Sequence, residues 1–233
     1  MTDFERTSYL NEINFLQKEN DFYKNEYKKK LLKMYLKLRN NSDEHRISIL
    51  GTDKKQYTLS EFIAQNKDYH SALGIIIQTP KLSFIMALEV WYEKWGTKNI
   101  LITETQNILQ AVQYTSGLEL TRRIVEAQEN FDCITAAKRC WTYNAGQLQW
   151  YLPCLMELSL IYINRIEINN ILKNINCPEE WFLMYDDEYV CSCNECDENF
   201  VWFVDMEYGN FSNATKYECN VVRAVTPYRL FRI

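Results

Sequence analysis

Residues 149–169 read QWYLPCLMELSLIYINRIEIN, and the reading of this stretch decides the fold expected for the chain. Pro153 suits the first position of a helix, where its missing N–H would be unpaired in any residue. Leu155, Leu158 and Ile161 then recur on one helix face, and Glu157 falls near the N-terminal end, where a carboxylate is favoured. Arg165–Ile175 continues helical after a break. Working outward, Thr103–Tyr114, Leu118–Ala127 and Ile134–Tyr143 read as helices, and Ile47–Leu50, Leu73–Ile77 and Phe84–Leu88 as short strands. Downstream the period changes to two. Phe200, Trp202, Val204 and Met206 alternate with Val201, Phe203 and Asp205, a strand buried in part on both faces. Tyr208-Gly209-Asn210 supplies a turn in which Gly209 can take a positive φ. A strand near Phe211–Tyr217 follows, and Val221–Val225 reads as the strand that closes the sheet. Helices among short, non-repeating strands predict an α+β domain.

The 233 residues, 47% hydrophobic and 24% charged, suffice for a large core without staples. No apolar run reaches membrane-spanning length. The start, MTDFERTSYLNEINF, lacks the basic-then-apolar pattern of a signal peptide. Free thiols in a reducing compartment are therefore expected for the eight cysteines. Residues 4–39 contain no Gly or Pro. Tyr9, Ile13, Leu16, Tyr23, Tyr27, Leu31, Met34 and Leu38 form one stripe of a long amphipathic helix there, with Asn20 on the stripe. The polar run NNSDEHR at 40–46 marks a boundary between residues 1–45, an anchoring or oligomerising helix, and a domain over 46–233.

The net charge of −5 hides an asymmetry. Residues 24–39 carry seven Lys or Arg against Glu26, whereas 179–207 carry ten Asp or Glu and no Lys or Arg. Two different partners, or head-to-tail electrostatics, fit this pattern as well as two solvated faces do. Tyr27 and Tyr35 interleave the basic residues, but a partner-binding helix is favoured there over nucleic-acid binding.

The segment Trp150-Tyr151-Leu152-Pro153 with Glu157-Leu158 opens a series. It is preceded by Ala72-Leu73-Gly74-Ile75-Ile76 and by Ala136-Ala137-Lys138-Arg139-Cys140. It is followed by Asn199–Asp205 (NFVWFVD, with Trp202), Gly209, Lys216 and Val222-Arg223-Ala224-Val225. In order and spacing the series resembles the C-terminal domain family of the Legionella collagen-like adhesin, over residues 46–227. The resemblance implies a C-type-lectin-like fold, shared with formylglycine-generating enzymes, preceded here by the long N-terminal helix. Trp150, Leu152, Pro153, Glu157, Trp202, Gly209 and Arg223 would be its structural signature. Tyr189-Val190-Cys191-Ser192-Cys193 replaces the family's Tyr-Trp-Ser-Ser-Thr-like segment, so an inherited ligand surface near it would be altered.

Cys191, Cys193 and Cys196 are candidate metal ligands, with Cys177 or Cys219 as a fourth, but only Cys193 and Cys196 have knuckle spacing. Small side chains at a strand entry are the favoured alternative. Asp197 and Glu198 oppose a redox role by raising neighbouring thiol pKa values. Asp186, Asp187 and Glu188 lack the spacing of a calcium loop. His45 and His70 are the two histidines, and no phosphate-binding loop or dinucleotide fingerprint is present. No catalytic residue and no cofactor are expected. Arg223, on a strand face with Val221 and Val225, is expected to turn inward and pair with Glu157. The resulting expectation is a non-enzymatic phage virion protein, made in the host cytoplasm. It would be a homo-oligomer, a trimer favoured, touching virion neighbours through the helix and a host glycan or protein through the domain. The alternatives are a bacterial cell-surface adhesin and a small zinc-dependent regulatory module.

Overall fold

The structure is a computed structural model that describes residues 46–80, 82–96, 100–103, 108–129, 133–183 and 189–228. The helix expected over residues 4–39 lies outside the described residues. The others form ten strands in two five-stranded sheets, with short helices between them. The first sheet runs β10-β4-β3-β1-β2, where β1 is Arg46–Gly51, β2 Gln56–Tyr57, β3 Ala72–Gln78, β4 Ser83–Ala87 and β10 Val225–Pro227. The second runs β5-β9-β6-β7-β8, where β5 is Trp91–Lys94, β6 Tyr189–Glu195, β7 Phe200–Asp205, β8 Phe211–Thr215 and β9 Cys219–Val222. All pairings are antiparallel except β6 with β9.

This β-rich, two-sheet architecture corrects the expected α+β, C-type-lectin-like fold, and two segments account for the difference. The run Val221–Val225 is not one closing strand. It is cut at Arg223-Ala224, so that β9 ends in the second sheet and β10 begins in the first. The cysteine stretch, read as loop and strand entry, is strand β6, which pairs with both β7 and β9. Strand β5, with Trp91 and Glu93 half-buried and Tyr92 and Lys94 exposed, was not anticipated.

Between Cys191, opposite Phe203, and Glu195, opposite Val201, β6 departs from regular register. The groups freed there turn to other elements, as bulged backbone must when buried. Ser192 O accepts from Trp95 Nε1 at 3.0 Å, and the Cys193 N–H donates to Pro153 O at 2.8 Å. Asn194 Oδ1 accepts from the Leu155 N–H at 2.9 Å. The bulge thus fastens the entrance of the helix Leu155–Ile163 to the second sheet.

Six helices lie among the described residues: α1 Leu59–Ala64, α2 Ile108–Ala111, α3 Leu118–Ala127, α4 Ala136–Thr142, α5 Leu155–Ile163 and α6 Arg165–Asn174. Helix α3 has the expected bounds and buries Leu120, Thr121 and Ile124, while Arg122 pairs with Glu119 and Glu126 on its outer face. Those exposed pairs are screened by solvent and add little to stability. Helix α5 is buried nearly all round rather than on one stripe, since Leu155, Leu158, Leu160 and Ile161 are all inside. It starts two residues after Pro153, with Cys154 as the residue before its first turn. One core draws Ile76 and Ile85 from the first sheet, Cys193 and Val201 from the second, and Leu120, Ile124, Ala137 and Cys140 from α3 and α4. None of the described helices is long and apolar enough to cross a membrane.

Lys216, just after β8, and Glu195, ending β6, are both wholly buried and lie 2.5 Å apart. Lys216 Nζ also donates to Ile100 O at 2.6 Å and stands 5.0 Å from the centre of the Trp95 ring. Glu195 accepts from the Ile102 N–H at 2.9 Å and from the Thr103 N–H. Desolvating two charges is tolerable only with such full hydrogen bonding. The pair ties the segment around residues 100–103 to the edge of the second sheet.

Gly209 has the expected positive φ, 69°. A Cβ there would also come within 2.3 Å of the Tyr162 ring. Gly209→Ala is expected to destabilise the fold by about 1–3 kcal/mol, read as a lower urea midpoint at unchanged slope; an unchanged midpoint would show that the turn re-forms freely.

Candidate functional site

Arg223 is fully buried, though in the break between β9 and β10 and not on a strand face, and it does not pair with Glu157. Its guanidinium donates to the carbonyls of Ala87 at 3.2 Å, Leu88 at 2.8 Å and Trp181 at 2.5 Å. The reason lies in the connections. The chain leaves the first sheet after β4 and returns to it before β10, and the two passages run side by side, with the Ala87 N–H donating to Ala224 O at 2.9 Å. Irregular backbone there leaves carbonyls without strand partners, and a fork of donors satisfies several at once.

Glu157 answers a different need, that of the N-terminus of α5. Its Oε2 accepts from the Cys154 N–H at 2.8 Å and from the Gly117 N–H at 3.1 Å, and its Oε1 from the Tyr151 hydroxyl at 2.6 Å. Burial nonetheless outweighs these donors and raises its pKa above the ordinary carboxyl value. A carboxyl with a raised folded pKa binds more protons folded than unfolded, so its contribution to stability is present at low pH and declines as pH climbs above about 4.5. Glu157→Gln should therefore gain on the parent as pH rises through that range. Parallel pH dependence of the two urea midpoints between pH 4 and 8 would contradict this.

Trp150 completes the frame. It is fully buried, its Nε1 donates to Ala145 O at 2.9 Å, and its ring meets that of Tyr143 at 5.2 Å. Tyr143 in turn packs edge-on against Trp91 at 4.8 Å. Leu152 exchanges hydrogen bonds with Thr121 Oγ1, both at 3.1 Å.

These supports converge on one cleft of about 260 Å³. Arg223 holds two of its walls, at Leu88-Glu89 and at Trp181, and Trp150 holds a third, at Tyr143 and Ala145. Tyr69 and His70 form the remaining rim, with Thr52 beside them. The Tyr69 ring lies 4.0 Å from that of His70 and meets Trp181 edge-on at 5.6 Å. Burial, with the Glu89 carboxylate close by as a lesser cause, raises the Tyr143 phenol pKa, so its hydroxyl is a neutral donor and acceptor. A larger hollow of about 430 Å³ borders Arg46, Glu61 and Glu167, with no aromatic side chain among the described residues that line it. The aromatic cleft is the better candidate, because apolar faces and polar tips converge in it.

The cysteines stand elsewhere. Cys191 and Cys193 point into the core, while Cys196, half-buried, receives the Asn213 amide. Among the described residues no group of three or more His, Cys, Asp or Glu side chains is placed to hold a metal ion. Burial pushes the Cys191 thiol up to about 12 and Cys196 to about 11, and lifts Cys193 well above its ordinary value. On brief iodoacetamide treatment of the native protein at pH 8, exposed Cys133 and Cys219 are expected to be alkylated. Cys140, Cys154, Cys191 and Cys193 should react only after denaturation. Peptide mass spectrometry showing early labelling of Cys193 would contradict the burial.

Trp202, Gly209 and Pro153 from the expected signature lie away from the cleft and serve the second sheet and the entrance to α5. The residues lining the cleft were not among the sequence candidates.

No family model matches the chain, and no curated protein matches it. Among solved structures, a fimbrial protein from Bacteroides ovatus aligns with a TM-score of 0.56 at 11% identity, over 78% of this chain and 48% of that one. This chain therefore spans about half the length of the fimbrial protein. At that identity what the two share is the fold.

Proposed function

We propose that the protein is a non-enzymatic structural or adhesive module of a bacterial cell surface. The observation that carries this reading is the fold it shares with a fimbrial protein over 78% of its length. A rigid frame beneath an open aromatic cleft suits recognition and supports the same reading. Of the two placements expected from the sequence, virion and bacterial surface, the fold likeness favours the surface. The test is protease treatment of intact cells of the organism that encodes the chain, followed by immunodetection. Loss of the protein from intact cells is the expected result. Complete protection, with recovery only in the soluble lysate fraction, would overturn the surface reading.

A further inference from the structure

We propose that the cleft between Trp181 and Tyr143 binds a single neutral sugar ring of the hexopyranose class. The inference stands on the cleft itself and not on where in the cell the protein acts. Size is the first argument. About 260 Å³ is less than the ~300–1,000 Å³ of sites for drug-sized ligands and suits one ring rather than an extended chain.

The second argument is the mix of groups. Trp181, Leu73 and Leu88 offer apolar surface, while Thr52, Glu89 and the Tyr143 hydroxyl offer hydrogen-bonding tips within the same cleft. A pyranose has that same division, with C–H faces that lie on aromatic rings and a girdle of hydroxyls that need both donors and acceptors. Charge is the third argument. Among the described residues of the lining, Glu89 is the acid and none is Lys or Arg. Directly behind the walls, the Arg223 guanidinium is held by the Leu88 and Trp181 carbonyls. A lone carboxylate among the described lining residues disfavours an anionic ligand, and the hydroxyl-matching tips beside the apolar faces favour a neutral ring.

The experiment uses the full chain in ligand-observed saturation-transfer NMR. The neutral probes are methyl glycosides of glucose, galactose, mannose and N-acetylglucosamine. N-acetylneuraminic acid is the anionic probe and Nα-acetyl-lysine methylamide the cationic one. At least one neutral glycoside is expected to bind with a millimolar Kd. Trp181→Ala should weaken it ~10-fold or more, while Trp181→Phe should stay near the parent value. Glu89→Gln, which leaves the wall carbonyls held by Arg223, should also weaken it ~10-fold and covers the case in which Trp181→Ala fails to fold. Absence of binding by every neutral glycoside, equal binding by Trp181→Ala, or preference for the lysine amide would each overturn the proposal. The last outcome would mark the cleft as a receptor for a basic protein side chain.

Discussion

Replacing Lys216 by methionine will destabilise the protein by about 3–5 kcal/mol, because the buried Glu195 carboxylate loses the ammonium 2.5 Å from it. Methionine fills most of the volume of the lysine stem, so the loss comes from electrostatics rather than from a cavity. Glu195 would keep the N–H groups of Ile102 and Thr103 but lose the ammonium 2.5 Å away. The Ile100 carbonyl would lose its donor as well. The measurement is the urea midpoint at unchanged slope. The double variant Lys216→Met, Glu195→Leu should recover part of the loss, because the buried carboxylate is removed together with the ammonium. A double variant no better than the single one would show that the pair's worth lies in anchoring residues 100–103. A single variant within ~0.5 kcal/mol of the parent would show that water reaches the pair.

Arg223→Met is expected to cost about 3 kcal/mol or more, since it strips donors from three buried carbonyls that two separate segments contribute. Arg223→Lys should recover only part, because a single ammonium cannot span the positions that a planar fork reaches. The signature to look for is local as well as global. Trp181 loses a tether in both variants, so its fluorescence should shift to the red under native conditions, before any unfolding transition. A Met variant with parental Trp181 emission and full stability would remove Arg223 from the role of holding the cleft walls.

Local structure was legible in the sequence wherever one periodicity ran uninterrupted. Helix α3 appears with the bounds its apolar spacing indicated, and the strand read at Phe200–Met206 appears as β7. Legibility failed where one run of residues serves two masters. Val221–Val225 sets Arg223-Ala224 between valines, and no side chain there announces that the first part pairs with β5 and the last with β4. The cysteine stretch failed for another reason. Its alternation of small residues is a strand signal, but thiols draw the eye to metal chemistry. Arg223 was expected inside on a strand face with Val221 and Val225, but it is buried because it fills the break between two strands, and its partners could not be read, since backbone carbonyls carry no sequence label. For the cleft, Tyr69, Glu89, Tyr143 and Trp181 come from segments far apart in the chain, so no spacing rule joins them. The clue that was present lay one step back, in Trp150 and Arg223, which hold the walls without lining them.

The pairing of β10 with β4 also bears on how the chain is made. Strand β4 is complete by residue 87, yet its outer neighbour is supplied by residues 225–227. During synthesis at ~5–20 residues per second, β4 therefore waits many seconds with an unsatisfied edge. That edge, Ser83–Ala87, is apolar and buried in the finished protein, the kind of surface that recruits chaperones or neighbouring chains. A ribosome stalled anywhere between the two strands would present an adhesive nascent chain, and the first sheet is completed only after residues 225–227 have emerged.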